Sequence, residues 1–141
     1  MSNVDELHLF FTLNGIILKG VGMKFEEFVR NFKKDIDYSK TGMIVFHNGV
    51  VRGTSRNGKT VEKISVKKNS NAINEIVKKV SALKGITKAD AVAFEGVFEP
   101  GDDLLFVGVA GDVRENVFHV LTDFVNELKK IAFEKREITV G

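Results

Sequence analysis

No cysteine occurs in the sequence, which removes disulfides, thiolate metal ligands and a cysteine nucleophile. Tryptophan is absent too, and tyrosine and proline each occur once. Charge of one sign is not in excess: 21 Lys and Arg against 19 Asp and Glu leave a net charge of +2, too little to draw nucleic acid over long range. The three histidines, His8, His47 and His119, are scattered without the spacing of zinc motifs, so neither a metal nor a cofactor is expected. No apolar run reaches the roughly 18 residues of a membrane span. The start Met1-Ser2-Asn3-Val4-Asp5-Glu6 lacks the basic opening of a signal peptide. No membrane partner and a cytoplasmic location are expected.

What is present points to a packed core. Twelve Phe accompany a 43% hydrophobic and 28% charged composition close to the globular average, and 141 residues suit a single domain over 1–141. Leu7–Leu13 and Ile16–Lys19 flank Asn14-Gly15, the pair that favours a hairpin turn. Phe25, Phe28, Val29 and Phe32 recur at helical spacing, as do Ile73, Ile76, Val77 and Val80 after possible caps at Asn69, Ser70 or Asn71, with Gly85 as the close. Between these helices, Met43–Phe46 and Val61, Ile64 and Val66 read as strands. Gly53–Lys59 is too polar for a core and reads as a mobile, basic loop.

Ala91–Phe98 and Leu104–Val109 read as strands joined by a Glu99-Pro100-Gly101-Asp102 turn. Asp112, with Glu115 three residues on, is the expected cap of the longest helix. Its apolar stripe is Val117, Leu121, Phe124, Val125, Leu128 and Ala132. Interspersed strands and helices with hairpin-like links predict an α+β fold with a mainly antiparallel sheet. The glycines of 20–22 and 53–58 lack phosphate-loop spacing and read as turns.

Several landmarks then occur in order: Gly49-Val50-Val51-Arg52, the basic loop, Pro100-Gly101-Asp102 before Phe106-Val107-Gly108-Val109, and a long helix leading to Lys129 and Phe133-Glu134-Lys135-Arg136-Glu137. This set resembles the large, catalytic subunit of molybdopterin synthase, the MoaE family, best over 42–137 and only in outline over 1–41. The resemblance implies an α/β hammerhead-type domain with an added antiparallel β subdomain. It also implies a homodimer within a heterotetramer, with a small ubiquitin-like sulfur carrier of the MoaD type at each end. The implied reaction moves sulfur from the carrier's C-terminal thiocarboxylate to cyclic pyranopterin monophosphate, and two transfers complete the dithiolene of molybdopterin.

On that resemblance Lys129 matches the family's catalytic lysine, and Lys135 matches a second lysine that contacts the pterin or a departing oxygen. Arg52 and Arg114 match substrate-binding arginines, and Arg136 is a neighbouring candidate. Each has a plainer reading. Lys129 at a helix end offsets the helix dipole, Lys135-Arg136 is a solvated charge run, and Arg52 makes an ion pair at a strand end. On one helix, Arg114 and Lys129 lie about 22 Å apart, so a shared site must span two subunits.

The chain departs from the family pattern where Val113 stands for a His before Arg114, and Ala93-Phe94 for a His-Arg pair. Lys68-Asn69 falls where His-Tyr is expected, and Ala132-Phe133-Glu134 shortens a Pro-aromatic-Trp approach. A divergent synthase, a noncatalytic binding or regulatory module and a purely structural dimer all fit these losses.

Overall fold

A computed structural model describes residues 22–140, with side chains to residue 137. The hairpin expected over Leu7–Lys19 lies outside the described residues. Helix α1, Phe25–Phe32, starts after Lys24 and places Glu26 and Glu27 in its first turn, where the exposed N–H groups favour negative charge. Its Phe28 and Phe32 are buried, as the helical spacing predicts. A short 3-10 turn, Lys33–Asp35, follows.

Strand β1 runs Met43–Val50, longer than the apolar stretch suggested. It pairs antiparallel with β5, Asp103–Gly111, and β5 pairs on its other side with β3, Ile86–Ala93. The sheet order is therefore β1-β5-β3. From Leu104 to Gly111 every residue of β5 is buried. The central strand is covered on both faces, so its sequence is continuously apolar rather than alternating.

Alternation sorts the two faces. Phe46, Phe106 and Gly108 face α1, and the Phe32–Phe46 and Phe25–Phe106 rings meet edge-on at 5.3 and 5.2 Å between centroids. A Cβ on Gly108 would stand 2.8 Å from the Phe32 ring, so glycine is what lets α1 dock. Lys88 ties down the end of α1, donating to the Phe32 carbonyl at 2.7 Å while its ammonium lies 3.6 Å from Asp35.

The opposite face is covered by α2, Ser70–Ser81, and α3, Arg114–Ile131. Asn69 is the cap of α2, its side chain accepting from the Ala72 N–H at 3.0 Å. That helix ends with Ala82 as its C-cap, earlier than Gly85, which instead supplies a left-handed turn (φ 81°) into β3. Val117, Val120, Phe124, Val125 and Leu128 form the buried side of α3, and Lys79 pairs with Glu127 between the two helices. Asp112 does not cap α3. Val113 occupies the cap position, and the Asp112 carboxylate accepts from the Asn116 amide and, to smaller effect, the Val113 N–H, which lowers its pKa.

A second antiparallel sheet, order β4-β2-β6, adjoins the first. It comprises β2 (Thr60–Lys68), β4 (Gly96–Phe98) and β6 (Phe133–Val140). The single strand expected over Ala91–Phe98 is thus two. The chain leaves one sheet after Ala93 and joins the other at Gly96, and Lys68 bridges the crossing by donating to the Ala93 carbonyl. The Glu99–Asp102 turn forms as expected, with Gly101 at φ 91° and the Asp102 N–H bonded to the Glu99 carbonyl at 3.0 Å. The segment 53–59 turns back on itself, closed by the Ser55 N–H on the Lys59 carbonyl at 2.8 Å. Among the described residues no helix is long and apolar enough to cross a membrane.

Candidate active site

The sequence shows no strand after α3, yet β6 begins two residues beyond it and folds back along β2. This turn carries Lys135 back toward the helix end that holds Lys129. Both line a small cleft of about 40 Å³ where the two sheets meet, with Gly49 and Val50 from β1, Leu104 and Leu105 from β5, Val66 from β2 and Phe133 from β6. The walls are apolar apart from the two lysines. Against such walls an ammonium attracts an entering anion, and the more water the anion displaces the stronger that attraction becomes.

Lys129 acts on Lys135. Lys135 is surface-exposed overall, yet partial desolvation lowers its pKa below the ordinary lysine range. The positive charge of Lys129 lowers it further, Glu137 opposes, and Arg56 of the hairpin loop adds to the lowering. A lysine so placed gives up its proton more readily than a free one, which suits acid–base work.

His47 belongs to the same neighbourhood, although its spacing from the other histidines gave no reason to single it out. Burial and then the Lys129 charge lower its pKa, which favours the neutral imidazole over the imidazolium. The available signal was its position: a polar residue on the same alternation as Met43 and Val45, the face of β1 that is otherwise apolar. Arg56, read only as part of a basic loop, reaches the site through its charge.

The remaining candidates are elsewhere. Arg136 neighbours Lys135 in sequence but points to the other face of β6, as adjacent strand residues must. There it borders an open depression of about 430 Å³ with Ser65, Lys67, Glu134 and Lys135. Arg52 turns back to its own loop, its Nε donating to the Thr54 carbonyl at 2.9 Å, and does not line the cleft. Arg114 is 75% exposed at the far end of α3, 3.7 Å from Glu115. His119 lies at the solvent edge, 3.3 Å from Asp123.

The MoaE protein family model matches residues 23–131, which is 109 of the 141 residues. The chain belongs to the MoaE family. The match takes in α1 through α3 and ends two residues past Lys129, so Lys135 and β6 lie beyond it. This family is the catalytic subunit of molybdopterin synthase and works in molybdenum cofactor biosynthesis.

Solved structures agree on the fold. Molybdopterin synthase from Staphylococcus aureus superimposes with a TM-score of 0.69 at 18% identity, covering 84% of this chain and 86% of that one. The molybdopterin biosynthesis MoaE protein from Burkholderia ambifaria gives 0.64 at 18% identity, with 83% of each chain covered. A complex of subunits 1 and 2 of molybdopterin-converting factor from Helicobacter pylori gives 0.63 at 16% identity, covering 83% of this chain and 80% of that one. The sequence matches no curated protein. The fold is the expected α+β hammerhead-type arrangement with added antiparallel strands.

Proposed function

We propose that this MoaE-family chain transfers sulfur from a thiocarboxylated small carrier protein to cyclic pyranopterin monophosphate, forming the dithiolene of molybdopterin. The observation that carries this reading is the convergence of Lys129 and Lys135 on one narrow, apolar-walled cleft. The cleft has room for the tip of a peptide tail but not for a fused ring system. The carrier's C-terminal glycine therefore enters there, its thiocarboxylate facing Lys129. The phosphate-bearing substrate takes the wider depression bordered by Lys67 and Arg136, whose cations suit an anionic ring phosphate. Lys135 borders both spaces and stands between donor and acceptor.

The partner is a carrier of the MoaD type, and the working assembly is a homodimer bearing two carriers in the cytoplasm. The two-subunit Helicobacter pylori complex supports a carrier partner. Mixing the purified chain with thiocarboxylated carrier and cyclic pyranopterin monophosphate, then assaying molybdopterin, tests the reading. Product that depends on Lys129 is expected; no product from folded, carrier-bound protein favours a noncatalytic binding module instead.

A further inference from the structure

The strand face that brings Gly49 to the cleft also carries His47, two residues earlier. The Nε2 of His47 is buried and has no hydrogen-bond partner. Buried polar atoms in native structures are nearly always paired, and an exception at a candidate active site calls for a partner that arrives later. The place of this atom is closely defined, because a Cβ on Gly49 would lie 3.0 Å from it. It therefore rests against the backbone of a residue that forms the cleft wall.

The neighbours narrow the choice of partner. Within sheet β1-β5-β3, the residue opposite His47 is the fully buried Val107, and Leu105 faces Gly49, so the sheet offers only apolar side chains. The charged groups are Lys129 from α3, whose field reaches the imidazole, and Lys135 from β6, which shares the cleft with Lys129. A neutral imidazole has one N–H and one lone pair, whereas an ammonium has three N–H groups and only donates. The lone pair of a neutral Nε2 and an N–H of Lys129 are therefore complementary. Lys129 is exposed, and the four-carbon stem of a lysine lets its ammonium take more than one direction.

We propose that His47 is a positioning residue for Lys129: its Nε2 accepts one ammonium N–H when an anionic C-terminal acyl group draws Lys129 into the cleft, leaving the other N–H groups aimed at that anion. The inference rests on the reading of the cleft as the carrier-tail site. It gives a reason for a polar residue on an apolar strand face. It also accounts for an acceptor without a permanent charge: a second permanent cation there would repel Lys129, and an aliphatic residue would leave the ammonium without a fixed direction.

The test uses the full chain with thiocarboxylated carrier, comparing wild type with His47→Leu and His47→Gln. Leu removes the acceptor, and Gln keeps one that does not titrate. His47→Leu should lower kcat/KM about tenfold or more while leaving carrier affinity nearly unchanged. His47→Gln should recover most of that loss and lack the acidic limb that His47 protonation gives the wild-type pH profile. If the Leu variant folds poorly, a second measurement stands alone. Binding of a synthetic peptide ending in a Gly-Gly thiocarboxylate should move the His47 Nε2 nitrogen resonance of wild type to a hydrogen-bonded value, and Lys129→Met should abolish the movement. An unmoved resonance with peptide bound, or a Gln variant no better than a well-folded Leu variant, overturns the role of His47 and leaves the sulfur-transfer reading intact. Neither peptide binding nor turnover in wild type overturns both.

Discussion

Gly49 and His47 share one face of β1 so closely that a Cβ on Gly49 would come to 3.0 Å from the His47 Nε2, with Leu105 at 3.5 Å. The atom in the way is the far end of a side chain, so the fold can yield by turning the imidazole. Gly49→Ala is thus expected to leave stability within about 1 kcal/mol of wild type, since the loss of unfolded-state freedom offsets the crowding. Activity should fall much further, because the added methyl narrows the cleft and displaces His47. Chemical denaturation and the molybdopterin assay on the same preparation separate the two effects. A variant that is destabilised but fully active at low temperature contradicts this account.

Lys129→Ala should abolish or nearly abolish turnover, by about two orders of magnitude or more, while the protein stays folded. Lys129 is exposed in the last turn of α3, and among the described residues no ion pair of its own is found. Removing it costs at most the helix-dipole interaction, about 0.3–1 kcal/mol. Circular dichroism should superimpose on wild type, and the single-turnover rate should not.

His47 also gives stability a pH dependence. Its folded pKa lies below the ordinary value of about 6.5, so in the acid window the unfolded chain binds its proton first. Stability is therefore full above about pH 6.5 and falls as pH drops from there through the folded value. Lys135 has the same sign at the other end. Its pKa is lowered, so stability rises as pH increases through its folded value toward that of a free lysine. Urea midpoints measured from about pH 5 to 7.5 should slope for wild type and slope less for His47→Gln. Equal slopes would show that His47 is not the group responsible.

These expectations rest unevenly on what the sequence alone made legible. Helical spacing located α1, α2 and α3, because each buries one face against a sheet and the period survives in the apolar residues. Phe133–Val140 escaped notice because its residues include Glu134, Lys135, Arg136 and Glu137, and a strand of this kind is defined by its pairing with β2 rather than by its own composition. That omission hid the geometry of the site. A charge run after a helix reads as a solvated tail, yet as a strand it sends Lys135 one way and Arg136 the other. The break after Ala93 was hidden for a related reason: Ala91–Phe98 is apolar enough for one strand, and only its division between two sheets separates it.

The packing of α1 offers a test of the core itself. Because a Cβ at Gly108 would meet the Phe32 ring at 2.8 Å and Phe46 at 3.1 Å, Gly108→Ala forces α1 away from the sheet. Both obstacles are rings held in a buried aromatic cluster, unlike the free end of His47. A loss of about 1–3 kcal/mol is expected, measurable by thermal or chemical denaturation, with hydrogen exchange quickened in Phe25–Phe32. A stability equal to wild type would mean that α1 is not held by this contact.

Arg114 and Lys129 occupy opposite ends of α3, and fifteen residues at 1.5 Å each separate them by about 22 Å. No substrate of the proposed size touches both within one chain. If both nevertheless serve the reaction, Arg114 acts on the cleft of a second protomer, and its present neighbour, Glu115 at 3.7 Å, is only an exposed, weak partner. Arg114→Ala and Lys129→Ala should then each be inactive as pure proteins. Mixed under conditions that exchange subunits, they form hybrid dimers in which one site carries both defects and the other carries neither. Random exchange of equal amounts makes half the dimers hybrids and restores roughly a quarter of the sites. Activity rising toward that fraction on mixing requires a site built across two protomers; an unchanged baseline, with exchange verified by mass spectrometry, confines the chemistry to the Lys129 end of a single chain.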